Sequence, residues 1–83
     1  MKVAVKYFAS IREAIGSGSE AVDTTAATVA ALRDELIARG GAHASALARG
    51  KPVRVAVDKV MRDDAAELAD GCEVAFFPPV TGG

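Results

Sequence analysis

Apolar and polar residues alternate from Lys2 to Phe8, with Val3, Val5 and Tyr7 on one side and Lys2, Ala4, Lys6 and Phe8 on the other. A period of two marks a half-buried strand, because successive side chains of an extended chain leave on opposite faces. The period then lengthens. Ala9 to Ile15 reads as a short helical segment closed by Gly16-Ser17-Gly18-Ser19, and Glu20 to Asp23 as a second strand that completes a loose hairpin. From Val29 to Arg39, Val29, Leu32 and Leu36 fall on one helical stripe, with Thr28 as N-cap and Gly40-Gly41 as the stop. This is the strongest helix in the chain.

Ala42 to Arg49 predicts a weaker helix that rests on alanine propensity more than on a packing face, with Leu47 as its apolar anchor. Gly50-Lys51-Pro52 breaks it. Val53 to Val57 is a β-branched run, Asp58-Lys59 a turn and Val60 to Arg62 a short return strand, together a tight hairpin. Asp63 to Gly71 reads as a loop with at most one helical turn and Leu68 plugged into the core, before a last strand from Glu73 to Phe77. The order β-β-α-β-β-β implies an α+β fold, a mixed sheet packed against one main helix. Its expected core is Val3, Val5, Tyr7, Leu32, Leu36, Val55, Val57, Leu68, Val74 and Phe76.

Composition narrows the function. Eighty-three residues make a single domain with little room for a deep catalytic cleft. Net charge is −1 and the ten Lys and Arg residues are scattered, so the sequence offers no basic stripe for nucleic acid. Apolar runs are far shorter than the roughly 20 residues that span a bilayer. The start, Met1 to Lys6, carries charges where a signal peptide is apolar, which together with the absence of a membrane segment predicts a cytoplasmic protein.

The chemically able side chains form no set. Cys72 is the single cysteine, with no partner for a disulfide or a metal site, and is expected as a passive turn residue after Asp70-Gly71. His43 has no carboxylate or cysteine near it in sequence and is expected on the solvent side of its helix. Gly16-Ser17-Gly18 lacks the lysine of a phosphate loop, and Asp63-Asp64 read as ionised, solvated carboxylates. Neither a bound cofactor nor a metal is expected.

The end of the chain is different. Pro78 and Pro79 have fixed φ and no amide donor, so strand pairing should stop after Phe77, dividing the chain into a domain, 1–77, and a flexible extended tail, 78–83. Val80, Thr81, Gly82 and Gly83 could reach about 13 Å when extended. Glycine has no Cβ, so this end can be threaded through a narrow channel and its carbonyl carbon attacked without obstruction. By alternation, Phe8 and Phe77 point away from the helix-covered side and, with Met61, would form an apolar patch at the base of the tail. Reversed parity would instead put them in the core.

The closing run Phe76-Phe77-Pro78-Pro79-Val80-Thr81-Gly82-Gly83 resembles the small, sulfur-carrier subunits of molybdopterin synthase, members of the ubiquitin-like β-grasp family. The likeness extends through Phe8-Ala9-Ser10-Ile11-Arg12-Glu13, Thr28 to Arg33, Ala56-Val57-Asp58 and Asp70 to Val74. Asp58 stands where asparagine is common and Cys72 where an acidic residue is common, both at turns. The resemblance implies that an adenylyltransferase similar to ubiquitin-activating enzymes adenylates Gly83 with ATP, that a sulfur donor protein converts it to a thiocarboxylate, and that the tail delivers sulfur to cyclic pyranopterin monophosphate in the large subunit. Phe8, Met61 and Phe77 would dock the partner, in a heterotetramer whose acid-base groups come from the large subunit. Rival readings are the thiazole-synthesis sulfur carrier, which ends in Gly-Gly but lacks the Phe-Phe-Pro-Pro lead-in, a ubiquitin-like protein modifier, and an interaction module with an idle tail.

Overall fold

In the computed structural model, which describes residues 1–79, eight elements follow one another. They are β1 (Lys2–Tyr7), α1 (Ala9–Ile15), β2 (Ser19–Asp23), α2 (Val29–Ile37), α3 (Gly41–Leu47), β3 (Arg54–Val57), β4 (Val60–Arg62) and β5 (Glu73–Phe77). The strands form one sheet in the order β2-β1-β5-β3-β4. β1 and β5 run parallel at its centre, and every other neighbouring pair is antiparallel. This mixed sheet with α2 laid across one face is the ubiquitin-like β-grasp.

The helix stripe does what its spacing predicts: Val29, Leu32 and Leu36 are fully buried with Val3, Val5, Val74 and Phe76 of the sheet. Thr28 Oγ1 accepts the amide of Ala31 and so caps the helix. α2 ends two residues before the expected Arg39, and Gly40 and Gly41, at φ 75° and 56°, take the left-handed turn into α3. α3 differs from expectation in start and in cause. It begins at Gly41 and stops at Leu47, and Ala46 and Leu47 are buried, so packing holds it as well as propensity.

The segment after β4 contains no helical turn. Its carbonyls serve α2 instead: the amides of Val29 and Ala30, unpaired within their own helix, donate to Ala66 and Asp64. Threading across that helix end buries Ala66, and Leu68 is only half-buried at the core margin, which corrects its assignment as the plug. The β3–β4 hairpin turns through Asp58 and Lys59 at φ 48° and 69°, the left-handed pair that a tight two-residue hairpin requires. Asp58 Oδ1 also accepts the amide of Glu73, tying the turn to the start of β5.

Candidate functional site

The face of the sheet opposite α2 is built from strand residues of the other parity. Across it, Lys6 pairs in register with Ala75, Ala75 with Ala56, Ala56 with Met61, and Phe77 with Arg54. Ala56 and Ala75 are small and lie outside the helix-side core cluster, so the centre of this face is flat. Larger groups rise around it. β1 pairs only to Tyr7, one residue short of the expected Phe8, because Ala9 at φ 51° turns the chain into α1. Phe8 itself stays extended, with its amide donating to Phe76 O at 3.1 Å, and so keeps the alternation of the strand. Phe8 is 47% exposed and Met61 49%, while Phe77 is half-buried. Phe8, Met61 and Phe77 therefore share the open face, and the parity read from the sequence holds. Lys6 and Glu73 form an ion pair of 3.4 Å on the same side.

β5 ends at Phe77, and Pro78 and Pro79 then line a cleft with Ser10, Ile11 and Ala14 of α1 and with the segment from Lys51 to Val53. The tail candidates Val80, Thr81, Gly82 and Gly83 lie outside the described residues. No helix among the described residues is long and apolar enough to cross a membrane. The ThiS family pattern matches residues 5–83, from the first strand through the final glycine. The chain belongs to the ThiS family. The molybdopterin synthase sulfur carrier subunit of Escherichia coli strain K12 is 42% identical over 81 residues, 98% of this chain and 99% of its own length. Among solved structures, the putative molybdopterin converting factor subunit 1 of Pyrococcus furiosus has a TM-score of 0.79 at 31% identity, covering 96% of this chain and 99% of that one. SAMP1 from Haloferax volcanii, a small archaeal modifier protein, has a TM-score of 0.80 at 29% identity with full coverage of both chains.

On the helix side, this ThiS-family chain carries two polar assemblies that sequence reading missed. The first corrects His43. Its Nε2 lies 2.8 Å from Oε2 of Glu20, which also accepts the Tyr7 hydroxyl at 2.8 Å, while Arg39 donates to Oε1 at 2.6 Å. The imidazole is partly buried and meets the Tyr7 ring edge-on, so it is no solvent-side residue. The carboxylate is remote in sequence and reaches His43 only because β2 and α3 share this end of the core. Burial alone would raise the Glu20 carboxyl, but hydrogen bonds from His43, Arg39 and Tyr7 outweigh it and hold the group at about 2, below its ordinary 4.5. Burial, followed by the bond to Glu20, pushes the Tyr7 hydroxyl up.

A carboxyl depressed in the fold stabilises it above its unfolded value and ceases to do so as pH falls through the folded value. The stability that Glu20 contributes should thus be complete above about pH 4.5 and fade between there and about pH 2. Melting curves of the intact chain and of Glu20→Gln across that range should converge at the acid end. A constant gap would remove Glu20 as the source.

The second assembly is Arg33, 6% exposed, with Nε donating to Leu47 O and its terminal nitrogen to the carbonyls of Ala48 and Lys51. It closes the C-terminal end of α3 from a neighbouring helix. A signal for it exists: Arg33 takes the i+4 slot of the stripe that begins at Val29. Of the other candidates, Cys72 is buried in the core cluster, Asp64 is paired with Arg49 at 2.8 Å, and Asp63 accepts the amide of Ala65.

Proposed function

We propose that this chain is a sulfur carrier for molybdenum cofactor biosynthesis, acting through the carboxylate of Gly83 in complex with the large subunit of molybdopterin synthase. The observation that carries the reading is the joining of an open apolar face, Phe8, Met61 and Phe77, to the strand that leads into Pro78-Pro79 and the final glycines. A body that docks beside the root of its own tail can aim that tail into another protein. The full-length likeness to a molybdopterin synthase sulfur carrier subunit supports the choice of partner.

A free carboxylate is a poor electrophile, so the chemistry needs activation. Attack of a Gly83 oxygen on the α-phosphorus of ATP, within an adenylyltransferase, expels pyrophosphate and leaves an acyl adenylate. Hydrosulfide delivered by a sulfur donor protein then adds at the unhindered glycyl carbonyl, AMP departs with the original oxygen, and loss of the sulfur's proton leaves a thiocarboxylate. Its sulfur passes to cyclic pyranopterin monophosphate in the large subunit, and the two sulfurs of the dithiolene consume two carriers. The acid-base groups belong to the partner. The body supplies docking and reach.

Incubation with ATP, an activating enzyme and a sulfur source should raise the intact mass by about 16 Da, the exchange of one oxygen for sulfur at the terminus. Attachment to a lysine amine, the modifier reading that the likeness to SAMP1 keeps in view, would give an isopeptide adduct instead. No mass change under these conditions would overturn the proposal.

A further inference from the structure

Charge is distributed unevenly between the two ends of the sheet. At the end where β5 leads into the tail, Lys51 lines the cleft beside Pro78 and Pro79, and Arg54 lies directly across from Phe77. Arg62 shares with Arg54 a groove at the β3–β4 edge that also contains Asp63 and Asp64. All three cations are exposed, and none forms an ion pair among the described residues. The carboxylates beside them in that groove are two: Asp64 is paired with Arg49, which also holds Asp34, and Asp63 accepts the amide of Ala65 while keeping its charge. The opposite end of the sheet has Asp23, Asp58 and Asp70 beside Lys2 and Lys59, and the chain as a whole is at −1. Three cations, unpaired among the described residues, thus cluster at the root of the tail on a slightly negative molecule.

We propose that Lys51, Arg54 and Arg62 form a cationic collar at the root of the tail that meets an acidic rim around the mouth of the large-subunit site, orienting the carrier tail-first as the two approach. The inference rests on the carrier reading above and adds the chemistry of the surface that receives the tail. Exposed charges act mainly on encounter. Attraction between opposite patches raises the association rate and is screened by salt, whereas apolar contacts such as Phe77 govern how long the complex lasts. Lys51 lies beside Pro78 and Pro79 and Arg54 beside Phe77, where the chain leaves the sheet, so a field acting on them turns the tail, rather than the helices, toward the partner.

Stopped-flow association with the purified large subunit of the same organism, over a range of salt concentrations, tests this. The variant carrying Lys51→Glu, Arg54→Glu and Arg62→Glu should associate about tenfold more slowly or worse at low ionic strength, converge with the intact chain at high salt, and dissociate at a nearly unchanged rate. Phe77→Ala should do the reverse, with faster dissociation and near-normal association. Arg54→Gln with Arg62→Gln, a milder change, should give an intermediate loss and decides the matter if the triple variant does not fold. Unchanged or faster association of the reversed variants, with the intact chain binding, overturns the collar alone. No binding by the intact chain overturns the carrier reading and the collar with it.

Discussion

A chain lacking Gly83 should melt as the intact protein does and yield no molybdopterin. The deletion leaves a carboxylate on Gly82, chemically the same group, but withdraws it by one residue, roughly 3.3–3.6 Å, from any site built to meet the full tail. Reacting atoms must come within about 3–3.5 Å, so a retreat of that size removes the near-attack geometry for adenylation, sulfur transfer or both. The fold should not notice the change: among the described residues the helix-side core cluster extends no further than Phe76, and β5 ends at Phe77. Adding one alanine after Gly83 tests the same requirement from the other side, since it locks the reactive carboxyl into a peptide bond and offers a bulkier end. Melting temperature, thiocarboxylate formation and molybdopterin yield would be measured for both variants. Full yield from either one would exclude chemistry at this terminus, whatever the fold.

The sheet and the main helix were legible because their information is local and periodic. β4 and β5 have the bounds that alternation predicts, and α1 spans Ala9 to Ile15 as read. Val29, Leu32 and Leu36 mark the buried stripe of α2 without help from any other segment. The open face was legible for the same reason: once Phe76 is inward, Phe77 must be outward, and Phe8 follows from Tyr7 in the same way.

What escaped depends on contacts between distant segments. Nothing within Asp63 to Gly71 says that its carbonyls will serve the amides of Val29 and Ala30, so a segment read as a loop became a cap on another helix. Nothing near His43 announces Glu20, twenty-three residues away, or that Tyr7 and Arg39 converge on the same carboxylate. Arg33 stood in the core stripe but was passed over because charged residues are seldom fully buried. It is tolerated there because three backbone carbonyls replace the water it loses. The candidate site divides along the same line: its apolar face follows from parity, while its charged collar appears only when the register sets Arg54 beside Phe77.

Replacing Leu36 with alanine should cost about 2–5 kcal/mol, the loss expected when a fully buried leucine leaves a cavity that its neighbours only partly fill. Leu36 has no exposed surface, and it packs in the cluster that joins α2 to β1 and β5. Domains of this size have about 5–15 kcal/mol in total, so the change consumes a large share of the margin. With each kilocalorie worth about 4–8 °C for a chain of 60–100 residues, the melting temperature should fall by roughly 8–40 °C. Phe8→Ala is the matched control: it removes a larger side chain from the open face, where surface changes usually stay within about 0.5 kcal/mol. If Leu36→Ala lost less than that, the helix face would not be the core and the packing described above would be wrong. If Phe8→Ala lost as much as Leu36→Ala, the open face would be holding the fold together and could not be reserved for a partner. The two substitutions, read by thermal melting and by binding to the large subunit, separate the half of the sheet that makes the domain from the half that is offered outward.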